Sequence, residues 1–408
     1  MNLLRSNCRT PGTVVRVRHF IIACLEAMIL ASATVAAPWK PIPVYPSAND
    51  QEAPDIYGNR VVWQQLVTSQ GVTDWDIYSA DITDPKKPVL TIVSEVTKDQ
   101  TNPAIFETTV AWQDNYAGDW DIYIRDISNA ANKEILLTNF SKDQTNPAIS
   151  GNFVVWQDNT AGDWDIWLGD ITDTANVRTY NLTPYSYDQQ NPAIDREWFT
   201  WEDNFVWQDN PNGIWDLYGA DVLMPNKPVE YLFGGFAEPQ QRSAISGHYV
   251  VWQQQYNGVD DWDIYAEDVS DPANPKLIAV AIESSNAINP DISGNLIVWQ
   301  DDRNGDWDIY GYNLATRREF LISDAQPNQT VFSDQTNPAI SGTTVVWQDN
   351  LGGKMNIYMA LLSGADVATC TTPPLGDANG DCVVNLNDLA NFSQHWLSCG
   401  LEPISACP

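Results

Sequence analysis

Between Cys24 and Cys370 the chain has no cysteine. Disulfides and thiolate-bound metals are thereby excluded from the body of the protein. Histidine is nearly as scarce. His19, His248 and His395 are the only three, which excludes a multi-histidine metal centre. Positive charge is also short: 21 Lys and Arg stand against 53 Asp and Glu, a formal net charge of −32. Phosphate backbones are bound by Lys and Arg, so nucleic acid is excluded as a partner, and anionic membranes are disfavoured. Beyond residue 37 no apolar run approaches the ~20 residues of a membrane-spanning helix. No recognisable Ser or Cys nucleophile motif occurs.

What the chain has instead is a repeated phrase. "TKDQTNPAIFETTVAWQDNYAGDWDIYIRDI" (97–127) returns as "SKDQTNPAISGNFVVWQDNTAGDWDIWLGDI" (141–171). A Trp-Gln pair anchors seven copies, at Trp63, Trp112, Trp156, Trp207, Trp252, Trp299 and Trp347. Six copies add a Trp-Asp pair, at Trp75, Trp120, Trp164, Trp215, Trp262 and Trp307; the seventh has Met355-Asn356-Ile357-Tyr358 instead. Periods in the forties belong to helical-pair arrays or four-stranded propeller blades. Composition decides for strands. The runs are five to nine residues long and rich in Val, Ile, Trp and Tyr. Asn-x-x-Gly-Asp between them is hairpin-turn composition. Asn-Pro ahead of Ala-Ile-Ser marks the start of each first strand, because proline cannot donate to a ladder. "KEILLTN" and "PKLIAVAI" supply fourth strands. The expected fold is all-β: a seven-bladed β-propeller of four-stranded blades. The last unit stops after three strands, so a strand near Ile42–Tyr45 is expected to close the ring.

Two segments flank the repeats. Residues 1–37 read as a signal peptide, with Arg5, Arg9, Arg16 and Arg18 ahead of "FIIACLEAMILASATVAA". Its loss would leave a mature charge near −35 and a secreted, cell-surface or periplasmic protein, with no membrane insertion thereafter. Residues 38–365 are the propeller. Residues 366–408 form a tail that holds Cys370, Cys382, Cys399 and Cys407. Four cysteines in a small secreted tail read as two disulfides with three possible connectivities. Inside it, Asp377, Asn379, Asp381, Asn385 and Asp388 sit at positions 1, 3, 5, 9 and 12 of a loop, with the Val383 carbonyl at position 7. That is EF-hand spacing, which converges oxygens on calcium. An exiting helix follows, with Leu389, Phe392, Trp396 and Leu397 on one side.

This loop and helix resemble a type I dockerin repeat. The resemblance implies a calcium cofactor and a cohesin-like or cell-surface partner. It departs from the family in having one repeat rather than two, and Cys382 where glycine is usual. The repeats themselves resemble TolB-like propellers of secreted and periplasmic bacterial proteins, in the order Pro-x-Ile-Ser, apolar strand, Asp-Ile-Tyr, Leu-Thr. That resemblance covers 40–362 and implies the fold, not a function.

Residues present in every blade are read as architecture. The Trp-Gln tryptophans are expected to wedge between blades. The Gly-Asp-Trp-Asp turns are expected to bond their own backbone, with a ring of weak calcium sites as the alternative. The links into the first strands align Asp50, Asp99, Asp143, Asp188 and Asp334, then Gln51, Gln100, Gln144, Gln189, Gln240 and Gln335. They are either self-satisfied loops or an acidic collar at the channel mouth that binds a cation or a glycan. Departures from the repeat are the better functional candidates. Trp198, Trp201, Arg242 and Tyr256 could form a lopsided glycan site. With no acid–base pair unique to one blade, the expected function is non-catalytic binding of carbohydrate or protein, with the tail for attachment. The alternatives are a polysaccharide-degrading hydrolase or lyase on the same scaffold, and a structural cell-surface repeat protein.

Overall fold

A computed structural model describes residues 39–367, apart from 70, 196–203, 210–214, 222–229, 235–237, 257–260, 272–273 and 324–332. The signal-peptide assignment, Trp198, Trp201, all four tail cysteines and the whole calcium loop lie outside the described residues. No described helix is long and apolar enough to cross a membrane.

The described strands form seven four-stranded sheets, one per copy of the repeat. Six are consecutive meanders, spanning 51–94, 100–136, 144–181, 189–233, 240–281 and 287–323. They are numbered here as blades 1 to 6, with strands A to D from the channel outward. Blade 7 takes strands A to C from 335–361 and its outer strand from Ile42–Pro43. Ile42 pairs with Met359 and Pro43 with Tyr358, and the Val44 amide donates to the Ile357 carbonyl at 2.8 Å. The first and last described strands thus share one sheet, and the outer side of strand C in the last blade is covered.

The core lies between blades, as the repeated tryptophans require. Trp63, Trp112, Trp156, Trp252, Trp299 and Trp347 are fully buried. Trp156 of blade 3 packs against Ala111, Ile122 and Ile124 of blade 2. Trp63 of blade 1 packs in one cluster with Val346 and Met359 of blade 7. Large rings fill the wedge between sheets that splay outward. Close backbone approach makes room for them. At Gly169 an added Cβ would lie 3.0 Å from the Trp156 ring, and at Gly311 it would lie 2.6 Å from Phe320. Gly311→Ala is therefore expected to cost about 1–3 kcal/mol through overpacking, seen as a lower denaturant midpoint at unchanged slope.

The inner strands hold one correction. Asn-Pro does not start strand A; it sits within it, as in Gln144–Ser150. The ladder shifts register between Thr145 and Ala148, and the same shift recurs in all seven blades. A bulge leaves the proline out of the ladder and puts the residue before it in the left-handed region. Asparagine tolerates that region, and Asn102, Asn146, Asn191, Asn289 and Asn337 hold it at φ 49–53°. Ala53 and Arg242 hold it too, at φ 50° and 52°, without that tolerance.

Candidate functional site at the channel mouth

The seven bulges converge on the channel axis. Together they line a cavity of about 330 Å³. Its wall is Asn-Pro from blades 2, 3, 4, 6 and 7, Ala53-Pro54 from blade 1 and Arg242-Ser243 from blade 5. The asparagine amides form a chain around the mouth. Asn102 Nδ2 donates to Asn146 Oδ1 at 3.0 Å, Asn146 Nδ2 to Asn191 Oδ1 at 3.1 Å, and Asn289 Nδ2 to Asn337 Oδ1 at 3.0 Å.

A second ring supports the first. In six of the seven Trp-Gln pairs the glutamine reaches across to the next blade and accepts the bulge amide. Gln64 accepts from Asn102 at 3.1 Å, Gln113 from Asn146 at 2.9 Å, Gln253 from Asn289 at 2.9 Å and Gln300 from Asn337 at 2.8 Å. Gln348 closes the ring on Ala53 at 3.1 Å. Sequence reading assigned the tryptophans and missed these glutamines. Their signal was present, since each follows its tryptophan without exception, but the partner lies 33 to 38 residues ahead in most blades and nothing local reveals it.

The amide chain is interrupted at Ala53 and Arg242. Arg242 is exposed, and among the described residues its side chain has no hydrogen-bonding or ionic partner. Among the described residues it is the one charged residue in the cavity wall. The hydroxyl of neighbouring Ser243 is buried without a partner. The mouth is thus a polar rim of amides with a single cation at one side.

The other sequence candidates fall elsewhere. Tyr256 is 52% exposed and stands at the hairpin end of blade 5, outside the cavity wall. The acidic collar is replaced by the self-satisfying alternative. Asp99 Oδ1 accepts the Trp75 amide at 3.1 Å, Asp143 that of Trp120 at 3.0 Å, and Asp188 that of Trp164 at 3.0 Å. Asp334 faces Trp307 and Asp50 faces Met355 in the same way. Gln51, Gln100, Gln144, Gln189 and Gln240 are fully buried. An aspartate just ahead of strand A is near the backbone of the preceding blade's hairpin, so its carboxylate caps that strand rather than facing the channel.

Two carboxylates do line the inner strands, below the mouth. Asp55 and Asp291 stand where blades 2, 3, 4, 5 and 7 have alanine. Each accepts its own neighbour's amide, Ile56 or Ile292, and one from the next blade, Ile105 or Ile340, all at 2.8 Å. Burial pushes Asp55 up to about 6 and Asp291 to about 7, and the Asp55 charge helps raise Asp291. A carboxyl raised in the folded state stabilises the fold most below its unfolded pKa and loses that contribution as pH rises through the folded one. Thermal stability is therefore expected to fall between pH 5 and pH 7.5. Asp55→Ala/Asp291→Ala, which copies the other blades, should flatten that fall in melting curves taken across the range.

No family profile and no curated protein matches the sequence. Solved structures do. The β-propeller domain of the Trilobed protease from Pyrococcus furiosus superposes at TM-score 0.56 and 9% identity, over 81% of this chain and 99% of that one. Oligogalacturonate lyase from Vibrio parahaemolyticus superposes at TM-score 0.56 and 11% identity, over 80% and 95%. TolB from Acinetobacter baumannii matches at TM-score 0.46 and 14% identity, over 81% and 73%.

Proposed function

We propose that this chain is a secreted, non-catalytic seven-bladed propeller that binds the acidic end of a carbohydrate at its channel mouth. The fold supports a propeller scaffold, and one observation carries the reading: among the described residues Arg242 is the only ionisable group in the wall of the cavity. Asparagine amides suit sugar hydroxyls, and a lone guanidinium suits a carboxylate. A strongly acidic protein repels anions at long range, so a single cation in a polar rim selects a small anionic group at contact distance. The dockerin-like tail, with calcium at Asp377, Asn379, Asp381, Val383, Asn385 and Asp388, would attach this binder to a cohesin-like or surface partner.

The second reading is a polysaccharide-degrading enzyme. It is favoured by the likeness to oligogalacturonate lyase, nearly the whole of which is covered, although identity this low carries the fold alone. Cleaving a glycosidic bond by hydrolysis or elimination needs a proton donor or acceptor near the bond, and among the described residues the wall of the mouth offers no His, Lys, Tyr or carboxyl group.

The deciding experiment incubates the secreted chain with a panel of neutral and uronate-containing oligosaccharides and measures both retention and new reducing or unsaturated ends. Retention of the acidic members without turnover is the expected result. New chain ends would overturn the binding-only reading, and absence of both would leave a scaffold.

A further inference from the structure

A row of buried oxygens outside the channel has no use in the reading above. In blade 3, Gln144 of strand A pairs with Asp158 of strand B, and Asp158 pairs with Asp165 of strand C. Residues directly opposite in adjacent strands project to one face, with Cβ atoms roughly 5 Å apart. The three side chains therefore stand side by side. All are buried, with Gln144 at 0%, Asp158 at 1% and Asp165 at 4% exposure.

Each already uses part of its capacity. Asp158 Oδ1 accepts the Thr160 amide at 2.7 Å, and Asp165 Oδ2 accepts Asn181 Nδ2 at 2.8 Å. The Gln144 amide nitrogen is bound to the Lys142 carbonyl, which fixes which way the amide faces. Three oxygens remain: Gln144 Oε1, Asp158 Oδ2 and Asp165 Oδ1 are all buried and without a partner. The indole N–H of Trp156 is unpartnered as well, but one neutral donor cannot offset two carboxylates. The negative charge of Asp163 acts on Asp165 besides.

Blade 6 shows what such a row requires. Asp301 and Asp308 pair across strands B and C in the same register. There the Arg303 guanidinium donates to Asp301 Oδ2, the equivalent of the unpartnered Asp158 oxygen, and to Glu319. It also lies 4.2 Å from the centre of the Tyr310 ring. Arg303 occupies the position that is Thr160 in blade 3 and Tyr116 in blade 2. In blade 6 the strand A residue is Ala287, so the amide oxygen is missing where the arginine is present. Blade 2 places Gln100, Asp114 and Asp121 in the same register, but there Thr138 Oγ1 donates to Asp121 Oδ1 at 3.3 Å, and of the three side chains only Gln100 keeps a buried oxygen without a partner.

We infer that the Gln144–Asp158–Asp165 row of blade 3 binds one hard divalent cation. Two carboxylates match the charge of a divalent ion. An all-oxygen set of carboxylate and amide selects calcium, magnesium or manganese over softer metals. No group of three or more His, Cys, Asp and Glu gathers as a metal centre among the described residues; in the blade 3 row the third protein ligand is an amide. Bound between blades, the ion would do what Arg303 does in blade 6.

The test is calorimetric titration of the full secreted chain with calcium, magnesium and manganese chlorides, with the melting midpoint followed in parallel. Two variants are compared with the parent. Asp158→Asn/Asp165→Asn removes the charge. Gln144→Ala/Thr160→Arg installs the blade 6 arrangement and keeps the fold supported should the first variant fail to fold. The expected result is one bound ion fewer per chain in either variant, against an unchanged contribution from the tail. The ion-dependent rise in melting midpoint should shrink with it. Unchanged stoichiometry in the variants, or no response of the parent to any of the three ions, would overturn the inference.

Discussion

Replacing Arg242 with asparagine is expected to stabilise the propeller while abolishing its retention of acidic oligosaccharides. The two effects have opposite signs because they come from different parts of the residue. The Arg242 backbone is held at φ 52°, a region that costs an ordinary L-residue about 1–2 kcal/mol and asparagine less. Asparagine is what five other blades place there. An amide at position 242 could also extend the chain of Asn–Asn bonds around the mouth. A rise in melting midpoint of a few degrees should follow. The guanidinium, by contrast, is the only cation at the mouth among the described residues. Hydrogen bonds to charged groups contribute about 1.5–3 kcal/mol, so binding of a uronate-terminated oligosaccharide should weaken about 10- to 100-fold. Ala53→Asn is the control. It fills the other gap in the amide chain and should stabilise without changing affinity. Equal affinity in Arg242→Asn and the parent, measured by calorimetry, would remove the channel mouth as the binding site.

Val44→Asp is expected to be the most damaging single change. Val44 is fully buried in the cluster that joins blade 1 to blade 7, beside the short outer strand Ile42–Pro43. A carboxylate there has no cation among the residues of that cluster, so the loss should be about 4 kcal/mol. The larger consequence is topological. Without the outer strand, Asn356–Leu361 becomes a free edge with unpaired backbone groups, which invites pairing with other chains. Denaturant midpoints should drop sharply, and light scattering should show association near neutral pH. A variant that melts like the parent and stays monomeric would mean that the ring does not depend on its closing strand.

Some of this was legible in the sequence, for definite reasons. Four short runs per repeat, each with strand composition, led directly to four strands per sheet. The missing fourth strand of the last copy led to Ile42–Tyr45. The Trp-Gln tryptophans were legible as wedges because so many large rings cannot all face water. Arg242 was singled out only as a departure from the repeat, without its conformation or its place in the wall.

The rest depended on contacts between blades. Asn-Pro looks like a strand start until the ladder shows that it is a bulge. The aligned aspartates and glutamines read equally as self-satisfied loops or as a collar until the aspartate side chains are seen to accept backbone amides of the neighbouring blade. The clasping glutamines join residues dozens of positions apart, and the row at Gln144 is assembled from three adjacent strands. By itself the sequence determined the period, the strand composition and the charge, because those are set by local chemistry and counting. Only the tertiary structure decided which polar groups were satisfied, because each blade completes its hydrogen bonds on the next, and a single repeat read alone cannot show its partner.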